Sequence, residues 1–185
     1  MNSYLLYSYI KYPLQRIEYG KNTLLDKYVA NKFIIGVAVE FPILVIIGIL
    51  GVVFGWMRFP LFPLANIIGA ILVIVGYIVH LGYAHKEFKK HSSQAHDHSI
   101  NKVNNLVTSG IYSKIRHPGY LGLILIYFGF AFGFGIVWML IPVVIFTALT
   151  YLTAIQEEEL LKSKFGNEYE DYRRHVPWRL IPKII

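Results

Sequence analysis

Residues 119–155 form a run of 37 positions without one charged side chain. As a single straight helix the run would be about 55 Å long, nearly twice the ~30 Å hydrocarbon thickness of a bilayer. It is therefore expected to fold back on itself near Gly133-Phe134-Gly135, as a hairpin of two short spans. Two more apolar stretches precede it. Residues 33–57 are apolar except for Glu40, with Pro42 two positions later, and residues 64–81 follow the break Arg58-Phe59-Pro60-Leu61-Phe62-Pro63. Each is long enough to cross. Glycines at 48, 51, 55, 69 and 76 would let helix backbones approach closely. The expected fold is an all-α integral membrane protein with four transmembrane helices in two hairpins, the amino-terminal segment being a candidate fifth.

Charge supports the same class. Only 16% of residues are charged and 55% are hydrophobic, where soluble domains are nearer a quarter charged. The net charge of +7 would suit nucleic acid, but the apolar runs are too long for a soluble nucleic-acid module. Seventeen of the eighteen Lys and Arg residues fall in three segments: five in 1–32, six in 84–118 and six in 156–185. Only Arg58 lies elsewhere. Two hairpins bring all three basic segments to one membrane face, and basic loops stay cytoplasmic. The expected organisation is one membrane domain, 1–185, multi-pass, with both termini cytoplasmic. In it 1–32 lies at the interface, 33–83 and 119–155 are the hairpins, 84–118 is a cytoplasmic loop and 156–185 a cytoplasmic tail. The charge-free stretch 1–10 is about half a spanning helix, and its positive charges follow the apolar part, unlike a cleaved signal peptide.

With no cysteine, disulfides, zinc-thiolate sites and thiol nucleophiles are excluded. His80, His85, His91, His96 and His98 cluster in sequence, but their spacings fit neither an i, i+4 pair nor a finger pattern. A solvated, titrating loop and no metal site is the expectation. Glu40 has two readings: a functional group at membrane depth, or a shallow carboxylate paired with a basic residue.

The polar chemistry must then lie on the inner side. The stretch N-L-V-T-S-G-I-Y-S-K-I-R-H-P-G-Y-L-G, residues 105–122, joins the basic loop to the uncharged hairpin. His117-Pro118 marks a helix start, because proline suits a first helical turn and its predecessor avoids helical geometry. The free amides of such a helix end favour an anionic group. Arg116, His117 and Tyr120 lie just before one hairpin helix, and Glu157 and Glu158 just after the other. A hairpin returns its ends to one face, so these groups should converge on a zwitterionic or cationic ligand.

The pattern L-V-x-x-G-I-Y-x-x-I-R-H-P-x-Y, the uncharged hairpin, and then E-E-x-L-L-x-x-F-G-x-x-Y-x-x-Y and V-P-x-R-x-x-P resembles the isoprenylcysteine carboxyl methyltransferase and phospholipid methyltransferase superfamily. The match covers about the last 80 residues; residues 1–100 match only in being apolar. The resemblance implies S-adenosylmethionine as donor, held on the cytoplasmic side by the last hairpin and the tail, with no Rossmann fold. By motif match, Leu106, Val107, Gly110, Ile111 and Tyr112 would line it. His117, Pro118 and Tyr120 would meet its amino-acid end, and Glu157 and Glu158 its ammonium or ribose hydroxyls.

What the acceptor requires depends on its type. A carboxylate, as in isoprenylcysteine O-methylation, would want an arginine: Arg179 first, Arg173 second. An amine, as in phospholipid N-methylation, must lose a proton, with Glu158 as base. The partners expected are membrane lipids and a lipid or prenylated acceptor reaching the site sideways from the bilayer. Two alternatives stay open: an NADPH-dependent enzyme like the sterol reductases, whose carboxyl-terminal part resembles this superfamily, and a non-catalytic membrane protein.

Overall fold

The structure, a computed structural model, describes residues 32–61, 63–91 and 105–184. The expected interfacial segment 1–32 (apart from Lys32) therefore lies outside the described residues, as do His96 and His98. Helix α1, Lys32–Ile35, runs through a π turn, Gly36–Glu40, into α2, Phe41–Val53. Pro42 lacks the amide a regular helix would use there, and the wider turn comes directly before it. Helix α3, Leu64–Tyr77, continues through a second π segment, Ile78–His85, into α4, Lys86–His91. A 3₁₀ turn at Gly110–Ser113 leads to α5, Pro118–Phe134. A second such turn at Val137–Met139 precedes α6, Leu140–Phe165, and then α7, Asn167–His175. Among the described residues the chain is helical, with one isolated bridge between Arg58 and Ile136.

Two helical stretches are long and apolar enough to cross a bilayer, Leu64–Lys89 with 26 residues and Val137–Phe165 with 29. Two shorter apolar helices, Ala38–Val53 and Pro118–Phe134, accompany them. The stripe Ile67, Ile71, Ile74 and Ile78 is 45–59% exposed, an apolar helix face. The first of these stretches is longer than its sequence suggests. Helix geometry does not stop at Leu81 but runs on to His91, so Lys86, Glu87 and Lys89 ride on its last turns instead of opening a loop.

Backbone contact joins α3 to α5. A β-carbon on Gly69 would come within 2.2 Å of the Gly133 nitrogen, and one on Gly76 within 2.6 Å of the Gly122 oxygen. Lipid tails offer no hydrophobic drive to associate, so helices in a bilayer gain most by such close packing. Helix α5 ends where expected: Gly135 caps it with φ 72°, a left-handed conformation that favours glycine. The two turns then meet. Phe59 N–H donates to the Gly135 carbonyl at 3.0 Å and Val137 N–H to that of Met57 at 3.0 Å, which brings both hairpin turns to one end. Between them and the other end lies a core of Leu44, Leu123, Tyr127, Ala131, Ile136, Met139 and Val143.

Glu40 is 1% exposed in this apolar surround. Lys32 Nζ meets its two carboxylate oxygens at 2.7 and 2.8 Å, and the Tyr127 hydroxyl also donates to it. Of the two readings of Glu40, the pairing with a basic residue is observed. Its partner is eight residues upstream, across the π turn.

Candidate functional site

Helix α5 begins at Pro118, and the chain just before it is held by the tail. Arg116 N–H donates to the Trp178 carbonyl at 3.0 Å and His117 N–H to that of Arg179 at 2.9 Å. This short backbone pairing carries Arg179 from the far end of the sequence to the start of α5. On the opposite side α6 continues past Ile155 as regular helix, so Glu157 and Glu158 project from it toward the same place.

Glu158 is 4% exposed and holds the centre. Its Oε1 accepts from Arg116 Nε at 3.0 Å and from Arg179 Nε at 2.8 Å. Arg116 Nη2 lies 2.9 Å from the same oxygen, and Arg179 Nη2 donates to Oε2 at 2.9 Å. Both guanidinium groups are fixed further. Arg116 Nη1 donates to the Val176 carbonyl at 2.8 Å; Arg179 Nη1 donates to the Tyr151 hydroxyl at 2.7 Å and lies over that ring, 5.3 Å from its centroid. The Glu158 hydrogen bond and charge raise the Arg179 guanidinium above its ordinary pKa. One carboxylate thus faces two permanent cations, and this half of the site keeps one positive charge in excess.

Glu157, one position earlier, faces elsewhere. It accepts from the Tyr120 hydroxyl, and its Oε2 is 3.7 Å from His117 Nδ1. His117 stands between the two carboxylates, with Nε2 3.2 Å from Glu158 Oε1 and its ring stacked on Tyr120 at 5.6 Å. Glu157 is 27% exposed and has no arginine among these partners; burial raises its carboxyl above the ordinary pKa, against the opposing pull of His117 and the Tyr120 hydroxyl, so this half of the site lacks the cations of the first. The side chains on the two sides of the hairpin do converge.

The loop preceding α5 closes a third side. Val107 is buried, and Leu106 packs against the tail cluster of Tyr169, Tyr172 and Val176. The Tyr172 hydroxyl donates to the Tyr112 carbonyl at 2.7 Å. Ser109 donates to Glu87 Oε1 at 2.6 Å, and Gly110, at φ 60°, presses so close that an added β-carbon would come within 2.8 Å of the Glu87 carboxyl carbon. Glycine is required there twice over, by conformation and by space. Burial pushes the Tyr112, Tyr169 and Tyr172 hydroxyls above their ordinary pKa, so all three remain neutral donors.

Of the residues singled out in the sequence, Arg116, His117, Tyr120, Glu157, Glu158 and Arg179 are gathered at one point. Pro118 is buried at the helix start, and Leu106, Val107, Gly110, Ile111 and Tyr112 lie on the flanking loop. Arg173 is apart: it is 44% exposed on α7 and pairs with Glu170 at 3.2 Å. Tyr151 and Glu87 were not singled out. Tyr151 was findable, since it precedes Glu158 by seven positions, two helical turns on the same face. Glu87 carries no such signal.

The profile described as phospholipid methyltransferase matches residues 64–168, more than half of the chain. A protein-S-isoprenylcysteine O-methyltransferase from Schizosaccharomyces pombe is 31% identical over 134 residues, 65% of this chain and 54% of that protein. A delta(14)-sterol reductase from Mus musculus is 27% identical over 131 residues, 66% of this chain and 31% of the reductase. Another, from Methylotuvimicrobium alcaliphilum, is 34% identical over 83 residues, 43% of this chain and 19% of that enzyme. The chain spans about half the length of the first of these relatives and a third or less of the two reductases.

Proposed function

The chain belongs to the phospholipid methyltransferase family, and from that premise we propose that it is a membrane methyltransferase that uses S-adenosylmethionine to methylate a lipid or lipidated acceptor. The observation that carries this reading is the split charge of the site. Arg116 and Arg179 around Glu158 retain one positive charge, and the Glu157 carboxyl, bonded to Tyr120 and raised in pKa by burial, lies beside it where a bound ammonium would hold it charged. The amino-acid end of the donor is a zwitterion, and the donor set matches it. Arg116 and the first amides of α5 would hold its carboxylate; Glu157 would hold its ammonium, with His117 between.

When bound, S-adenosylmethionine supplies a methyl group on a sulfonium, already activated for in-line displacement. The protein's share is then alignment and exclusion of water. Glu158, whose oxygens already accept from two arginines, fixes those arginines in direction. Glu87 holds the Ser109–Gly110 turn of the flanking loop. Arg179 is less buried than Arg116, and its excess charge suits a carboxylate acceptor of the isoprenylcysteine type. Glu157 would suit a lipid amine instead, as acceptor of its proton. The acceptor would arrive from the bilayer, past the exposed apolar faces of the spans, and the donor from the cytoplasmic side.

The test is transfer of labelled methyl from S-adenosylmethionine by detergent-purified protein, with prenylcysteine analogues and aminophospholipids offered side by side. Transfer to the prenylcysteine carboxylate is expected, and transfer to neither class would overturn the reading. Two relatives are sterol reductases, so calorimetry with NADPH belongs beside it; tight NADPH binding without S-adenosylmethionine binding would favour reduction.

A further inference from the structure

Tyr169 on α7 is 1% exposed, and its hydroxyl finds no hydrogen-bond partner among the described residues. Leaving a buried hydroxyl unpaired forfeits its hydrogen bonds to water without replacement. A phenylalanine would fill the same space without that cost. The ring is well accounted for: it packs on Tyr172 with centroids 6.1 Å apart, in a cluster with Val176 that Leu106, Leu161 and Phe165 border. Packing thus explains the ring and leaves the oxygen unexplained. Its neighbour Tyr172 is different, since that hydroxyl is already committed to the Tyr112 carbonyl.

The surroundings narrow what the oxygen could serve. It feels the charges of both Glu158 and Arg116, so it borders the ion network without bonding to it. Leu106, from the loop before α5, and Leu161 and Phe165, from α6, pack against the cluster that holds its ring. A neutral donor beside a salt network and an apolar cluster does not suit a charged group, and the charged end of a zwitterion is already served by Arg116 and Glu157. It suits a flat, neutral group with hydrogen-bond acceptors.

We propose that the Tyr169 hydroxyl is a binding group for the nucleoside half of the methyl donor, and that Leu106, Leu161 and Phe165 supply the apolar surface a purine ring requires. This rests on the donor assignment made above and adds to it a residue whose hydroxyl has no partner among the described residues.

The experiment pairs Tyr169→Phe with wild type in detergent and reads two quantities that do not need turnover. The first is the Kd for S-adenosylmethionine by calorimetry, with adenosine and methionine as competitors; the second is Tm without ligand. Tyr169→Phe should keep or raise Tm, weaken S-adenosylmethionine binding about tenfold and weaken competition by adenosine, with competition by methionine unchanged. Tyr172→Phe, which removes a hydroxyl already bonded, should instead lower Tm. Unchanged affinity in Tyr169→Phe would overturn the proposal while the donor assignment stands. Lowered Tm with equal loss for adenosine and methionine would overturn it too, by showing a structural hydroxyl. Wild-type protein that binds no S-adenosylmethionine would sink this proposal and the donor assignment together.

Discussion

Glu157 and Glu158 are adjacent in sequence and have different surroundings, which separates their expected phenotypes. Glu158 neutralises part of two buried or half-buried arginines, so Glu158→Gln leaves cations without their counter-ion. Breaking a buried pair from one side costs about 3–5 kcal/mol, and the loss should appear as a much lower Tm in detergent. Glu157→Gln removes a carboxylate that is partly open and bonded to Tyr120. It should change Tm little and weaken donor binding at least about tenfold, some 1.4 kcal/mol, by removing a charge-assisted contact. Donor affinity unaltered in Glu157→Gln would show that the ammonium is held elsewhere. Arg179→Ala, if that side chain meets the acceptor, should depress kcat more than donor affinity; the reverse ordering would make it part of the donor site. Arg173→Ala, on the exposed face of α7, should alter neither by more than about twofold, since exposed ion pairs contribute little.

At the scale of elements, α5 organises its neighbours. Its start is stapled to the tail, its middle packs on α3 through glycines, and its end turns at Gly135. The Lys32–Glu40–Tyr127 cluster joins the first helix to its centre, yet a buried ion pair is a weak source of stability. Lys32→Met or Glu40→Leu alone should destabilise by about 3–5 kcal/mol, because each leaves one charge buried and unpaired. The double variant Lys32→Met/Glu40→Leu should recover most of that loss in thermal unfolding. A double variant as unstable as either single one would show that the cluster contributes geometry that apolar packing does not replace. Much of this was legible: the turn at Gly133-Phe134-Gly135 follows from run length, and the close contacts at Gly69 and Gly76 from small residues in apolar helices. The continuation of helix to His91 was not, because polar residues after an apolar run read equally well as loop.

For the whole molecule, the paired turns Met57–Phe59 and Gly135–Val137 define one end and the Arg116–Glu158–Arg179 network the other. In a bilayer the network end should face the cytoplasm, where the basic segments belong. The absence of native cysteine makes this directly measurable. Leu61→Cys, at the turn end, and Glu168→Cys, at the start of α7, should react with a membrane-impermeant thiol reagent from opposite sides of sealed vesicles. Labelling of both from one side would refute the hairpin topology.

Helix class and the turn that ends α5 at Gly135 were determined by the sequence alone. A bilayer imposes run length and charge position on any chain that enters it, and those features are local. Which side chain answers which was decided only by the tertiary structure. Lys32 reaches Glu40 through a π turn, Arg179 comes to Glu158 by way of two backbone bonds to the loop, and the hydroxyl of Tyr169 has no partner among the described residues. Those pairings depend on distances in space between segments remote in the chain, or on a local widening of the helix, and composition and periodicity carry neither.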